Sequence, residues 1–221
     1  MAYGAGTLEH TRRKFARTHE LIFVSYHEAG HAVYGLLHFM MIGPVYVLET
    51  KKQKRIWGMT HFESVLDSKK ITDDSLIAER LHSEICMQYA GLTTEKYHYK
   101  TISGSDKFPM TLKQGSESDT FAAASLIRQY NLAPPGRKRY AYKKKLIKET
   151  LNELKDNWDA VTLVAHALFE KKRLSFLDLQ NLLIKKSKNK SFWKEQFKII
   201  NYIFENRDSL DIKELKSILS I

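Results

Sequence analysis

Two histidines four residues apart, in His27-Glu28-Ala29-Gly30-His31, lie inside an apolar segment running from Leu21 to Met41. On a helix, positions i and i+4 project from one face a turn apart, so both imidazoles can reach a single metal ion. Glu28 lies about 100° round from His27 on the same side, where it can reach a water at that ion without being a ligand. From Glu20 to Met41 the only charged residues are Glu20 and Glu28, and there is no proline. Ile22, Ala29, Val33, Leu36 and Met40 fall opposite the histidines, while Phe23, Val24 and Tyr34 flank them. A helix apolar on every side belongs in a core. Burying an unpaired carboxylate such as Glu28 there is costly, which favours a chemical role for it over a packing one. The chain must therefore fold around this helix.

The pattern H-E-x-x-H is the signature of zinc peptidases, in which two neutral imidazoles bind Zn²⁺ and the glutamate is general base for the attacking water. A catalytic zinc needs a third protein ligand and one open position. His38 points the same way as His31 but lies about 10 Å further along the axis, too far for the same ion. His61, Glu84 and Asp106 are further candidates. Asp119, in the first turn of a helix, Glu95 and His98 remain equal candidates on the residues alone. The longer zincin patterns, which add a Gly-x-x-His after the motif, are absent.

Ahead of the motif, residues 1–18 read as a polar, Gly-containing arm. The motif helix is expected over His19 to Met41, ending at Gly43-Pro44. Val45 to Thr50 and Ile56 to Glu63, separated by a basic turn, read as a β-hairpin whose edge could pair with an extended peptide. Thr72 or Asp73 caps a helix to Ala90-Gly91, and an irregular stretch follows from Thr93 to Gln114. Ser116 or Ser118 starts a helix to Tyr130. The remainder is helical: Arg139 to Lys155, Trp158 to Lys171, and a capping-box start at Ser175 leading to Ile184. Trp158 and Phe169 recur as Trp193 and Phe204 at an offset of 35, and Leu174, Leu179 and Leu183 as Leu210, Leu215 and Leu219 at 36, an echo of helix, turn and shorter helix.

With 221 residues, 43% of them hydrophobic, the chain suits one medium domain or a domain with an appendage. Its single cysteine, Cys86, excludes a disulfide framework and a Cys-based zinc site, and suits a reducing compartment. No signal peptide opens the chain, and the most apolar window is too polar to span a membrane, so a soluble, cytoplasmic protein is expected. The net charge of +11 is uneven: from Arg137 onward 20 lysines and arginines face 11 acids. A solvated lysine-rich face explains this surplus best, with attraction to acidic substrates, an acidic partner or nucleic acid as the alternatives, and no nucleic-acid motif accompanies the charge.

Tyr26 with His27-Glu-Ala-Gly-His31-Ala-Val resembles the peptidase domain of the FtsH-type ATP-dependent zinc metalloproteases. The resemblance extends through Gly43-Pro44-Val45, Gly58-Met59-Thr60-His61-Phe62, Tyr89-Ala90-Gly91-Leu92-Thr93-Thr94-Glu95, Gly115-Ser116-Glu117-Ser118-Asp119 and Asn157-Trp158-Asp159. It covers roughly residues 20 to 184. It implies a mainly α, zincin-like fold with a small β-hairpin or sheet, and zinc on His27, His31 and Asp119 with Glu28 as the catalytic base. It also implies substrate guidance along an edge strand at Gly58, Met59, Thr60, His61 and Phe62, and a hexameric assembly. Unlike that family, this chain carries no G-x-x-x-x-G-K-[ST] loop and no ATPase domain.

The expectation is therefore an N-terminal arm over 1–18, a zinc peptidase domain over 19–185 and a C-terminal helical extension over 186–221. The chain should act as a zinc metalloendopeptidase on unfolded or flexible polypeptides, alone or fed by a separate ATPase. The alternative is a peptidase-like adaptor or inhibitor associating with an FtsH-like assembly.

Overall fold

The helix bearing the motif, α1 (Ala5–Leu37), ends in a tight left-handed turn rather than at Gly43-Pro44. Phe39 takes φ 56°, the N–H of Met40 bonds to Gly35 O at 2.9 Å, and that of Phe39 to Leu36 O at 3.3 Å. This is a Schellman closure with phenylalanine where glycine is usual. The unfavourable backbone of Phe39 is held by packing, since its side chain joins two hydrophobic clusters. Gly43 and Pro44 instead lie inside the first strand, β1 (Met41–Thr50), where the register with its neighbour shifts between Ile42 and Val45. A bulge there accommodates proline, which has no N–H to give the ladder. The computed structural model describes the backbone of residues 5–50, 55–64, 73–109 and 117–219, and side chains over 18–49, 56–64, 73–109 and 117–219. Over the segment expected as an arm, α1 simply continues back to Ala5.

The second strand, β2 (Arg55–Glu63), pairs antiparallel with β1, setting Val45 opposite Thr60 and Val47 opposite Gly58. The basic turn at 51–54 lies outside the described residues. A two-residue strand, β3 (Arg173–Leu174), adds to the other side of β1, giving the order β2-β1-β3, with β2 at an edge among the described residues. So short a strand leaves no periodic trace in the sequence.

The next helix, α2 (Asp74–Ser103), is capped by Asp73, whose carboxylate accepts from the N–H groups of Ser75 and Leu76. It runs twelve residues past the expected stop at Gly91 and ends at Gly104, φ 67°. Thr93, Thr94, Glu95 and His98, whose polarity suggested a loop, are buried residues of this helix. Then come α3 (Glu117–Gln129), α4 (Arg137–Asp156), α5 (Trp158–Lys171), α6 (Phe176–Lys186) with its Ser175 capping box, α7 (Lys190–Glu205) and α8 (Ile212–Leu219). The expected start at Ser116 lies outside the described residues. Of the pairs in the echo, Leu174 and Leu210, and Leu179 and Leu215, are buried on both sides, whereas Leu183 and Trp193 are buried and their counterparts Leu219 and Trp158 only partly so. Among the described residues no helix is long and apolar enough to cross a membrane. The fold is mainly helical with a small antiparallel sheet.

At the centre of the core is α1, packed by α2, α5 and both long strands, with Ala29, Ala32, Val33, Tyr34 and Leu36 fully buried. Residues beyond 185 close over its end. Gln196 Nε2 donates to Leu36 O at 2.7 Å, which also accepts from the N–H of Phe39, and to Leu37 O at 3.1 Å, two carbonyls of the last turn of the helix. Arg207 pairs with Glu63 at the end of β2, and Lys216 with Asp73 at the start of α2, at 2.8 and 2.7 Å. A Gln196→Leu variant keeps the bulk but loses the donor, and should lower unfolding stability by about 1–3 kcal/mol in denaturant titrations. An unchanged midpoint would show that these carbonyls find water instead.

Candidate metal centre

His27 and His31 lie where α1 crosses α2, and two glycines make that crossing close. A Cβ on Gly30 would overlap Thr94, and one on Gly91 would overlap both imidazole rings. Only residues without side chains let the ligand face of α1 lie against a helix backbone here. A third glycine, Gly58 on β2, does the same for the carboxylate of Glu28. Gly91 was expected to stop a helix; it is instead a site of close approach inside one.

The Nε2 atoms of His27 and His31 are 3.0 Å apart, and Asp119 Oδ2, from the first turn of α3, lies 2.9 Å from the first and 3.4 Å from the second. Ligand atoms about 2.1 Å from a four-coordinate metal ion sit about 3.4 Å apart, so these three atoms nearly frame one. They form the one group of potential metal ligands among the described residues. The remaining ring nitrogens support the same reading. His31 Nδ1 donates to Met87 O at 2.7 Å, which leaves the Nε2 lone pair of the neutral ring directed at His27. His27 Nδ1 has Glu95 Oε1 at 3.2 Å, off the direction of a full hydrogen bond, and a carboxylate there favours the proton on Nδ1. In the neutral form that a metal ligand needs, two rings so held would turn their Nε2 lone pairs on each other at contact distance. A cation between them removes that conflict, and the donor set of two imidazoles and a carboxylate suits a divalent metal.

Electrostatics shows how strongly the site calls for positive charge. Burial opposes the charged form of His27, yet the carboxylates of Asp119, Glu95 and Glu28 outweigh it and raise its pKa well above the ordinary histidine value. Burial raises Asp119 too, but hydrogen bonds with His27 and His31 hold its carboxyl below the usual carboxylate range. Burial pushes Glu95 up, partly offset by His27. Three carboxylates thus surround two rings, and a bound metal ion would take over the role of the proton on His27.

Glu28, buried at 4% exposure, accepts a 2.7 Å hydrogen bond at Oε2 from the Thr60 hydroxyl. Its carboxylate shares a cleft of about 250 Å³ with His27, His31, Asp119 and the β2 residues Gly58, Met59, Thr60 and Phe62. Four of the five expected substrate-guiding residues therefore line the site. His61 does not, and its ring meets Tyr46 edge-on with centroids 6.1 Å apart. Of the candidates for third ligand, Asp119 joins the histidines, while Glu95 sits behind His27. His98 stacks flat on Tyr26 with centroids 3.6 Å apart and is not part of the group. The role of Thr60 as the partner that orients Glu28, and of Met87 O behind His31, has no sequence signal beyond the rule that site residues need such partners.

Burial and the nearby His166 lower the pKa of His98 to about 4 from 6.5. Below pH 6.5 the unfolded chain takes up a proton that the folded chain refuses until about pH 4. Stability should therefore fall as pH drops through this interval, with an upper bound of about 3 kcal/mol from this residue. A His98→Phe variant should show a flatter profile in denaturation at pH 7 and pH 4.5, with metal stoichiometry unchanged; an identical slope in both proteins would refute this.

Compared with protein-family models and with curated proteins, the chain has no match in either.

Proposed function

We propose that the chain is a zinc-dependent endopeptidase of the FtsH peptidase type, hydrolysing peptide bonds in unfolded or flexible polypeptides. The observation that carries this reading is the convergence of His27, His31, Asp119 and the Glu28 carboxylate on one cleft bordered by edge strand β2. His27, His31 and Asp119 would hold Zn²⁺, which supplies a Lewis acid that polarises a scissile carbonyl and acidifies water. Glu28 takes the proton of the attacking water at Oε1, the oxygen that Thr60 does not hold, and returns it to the leaving amine. Thr60 fixes the carboxylate, and Gly58 leaves it room. The outer edge of β2 offers backbone groups with which an extended chain can pair, presenting a peptide bond to the cleft.

Substrates are then peptides, flexible segments, or chains unfolded by a separate ATPase; by the same resemblance, subunits assemble as hexamers. The intact Glu28–Thr60 pair supports catalysis over an adaptor or inhibitor role. Metal analysis and digestion of an unfolded polypeptide test the reading together. About one zinc per chain and cleavage abolished by a chelator are expected. Zinc bound without cleavage, with or without an ATPase partner, overturns it.

A further inference from the structure

Between α2 and α4 runs a groove of about 540 Å³ that does not include the metal centre. Its apolar lining comes from Tyr97 on α2, Phe108 in the following turn, and Ile147 and Leu151 on α4, all half-buried. Four lysines also line it, Lys96, Lys100, Lys107 and Lys155, against a single acid, Asp106. Asp106 is already paired with Lys100 at 2.8 Å. By helical spacing, Lys144 and Lys148 extend the basic character along the same stripe of α4 as Leu151 and Lys155. Apolar side chains flanked by one sign of charge fit a ligand that is apolar and oppositely charged.

Lysines beside aromatics also suit single-stranded nucleic acid, which needs open ring faces on which bases stack. Here the rings are engaged by the protein. Lys155 Nζ sits 5.0 Å over Tyr97, whose ring also meets Trp158 edge-on, and Phe108 makes edge contacts with Phe23 and Tyr99. The groove offers a ligand the aliphatic surface of Ile147 and Leu151, rimmed by four ammonium groups against one carboxylate, so that positive charge is in excess there whatever contacts the lysines already make. That is the complement of a leucine or phenylalanine flanked by glutamates or aspartates.

We propose that the α2–α4 groove is a docking site for an acidic, apolar-anchored segment of another polypeptide, separate from the cleft at His27 and His31. An apolar side chain sits against Ile147 and Leu151, and its flanking carboxylates meet Lys96, Lys100 and Lys155. The charge term makes capture sensitive to salt, and the apolar anchor fixes the register.

The test is fluorescence anisotropy of a labelled peptide alternating glutamate with leucine and phenylalanine, titrated with the full chain carrying Glu28→Gln so that the peptide is not consumed. Saturable binding is expected, weakened at least about tenfold by Lys96→Glu, Lys100→Glu and Lys155→Glu together. All three side chains are exposed, and circular dichroism checks that the fold is kept. A control triple on the other side of the chain sequence, Lys186→Glu, Lys188→Glu and Lys190→Glu, makes the same change in net charge and should alter binding less than about twofold. Leu151→Ser should weaken binding without changing the salt dependence. Absence of saturable binding, an equal loss in the control triple, no effect of Leu151→Ser, or tighter binding of an oligouridylate than of the peptide would each overturn the proposal.

Discussion

Glu28→Gln should retain zinc and lose cleavage of an unfolded polypeptide by a factor of about 10²–10⁴. The amide has the shape of the carboxylate, and its oxygen can still accept from the Thr60 hydroxyl that holds Glu28 in place. His27, His31 and Asp119 are untouched, so metal content should match the native chain. What the substitution removes is the ability to accept a proton next to the metal-ligating face. The comparison separates the two halves of the proposed function: loss of metal would mean that Glu28 is structural, and cleavage within tenfold of native would mean that another group is the base. In either case the peptidase reading in its present form fails.

The second large effect is expected at Gly91, with a sign opposite to ordinary helix behaviour. Glycine to alanine inside a helix normally stabilises by about 1 kcal/mol. At Gly91 the added methyl would overlap the imidazoles of both His27 and His31. Either the rings rotate away from their shared point or α1 and α2 separate, and both outcomes spoil the arrangement held by Met87 O and Glu95. Gly91→Ala should therefore weaken zinc binding about 10–100-fold and reduce stability by about 1–3 kcal/mol. Competition with a chromogenic chelator measures the first and thermal unfolding the second. Native zinc affinity together with a raised Tm would show that the two helices are not in the contact described.

These two residues also mark what sequence reasoning reaches and what it does not. His27, Glu28 and His31 were legible because their chemistry depends on spacing along one helix, which the sequence records directly. Asp119 lies 92 positions from His27, and no local pattern links them; residue chemistry left it level with Glu95 and His98, and only the resemblance singled it out. The geometry separates the three by placing one at the ligand point, one behind a ring and one under Tyr26. Gly91 misled because glycine next to polar residues is the usual mark of a helix end. Tertiary contact overrides that rule here, since Thr93, Thr94, Glu95 and His98 are buried by the crossing that the glycine permits. The end of α1 misled for a related reason: Gly43-Pro44 is the stronger local stop, yet the chain turns at Phe39, where long-range packing supports a backbone that phenylalanine disfavours. The helices from Arg137 onward, with clear amphipathic spacing and a capping box, fell within a few residues of expectation.

The contact of Gln196 with the last carbonyls of α1 bears on how the molecule opens. Helix ends usually fray first and independently of the rest of a protein. Here the final turn of the motif helix is covered by a side chain 160 positions away, and α7 buries Trp193, Phe197 and Ile200 in the same core. Amide protons in that turn of α1 and in α7 should therefore exchange with solvent together, as one cooperative unit, rather than the helix end opening on its own.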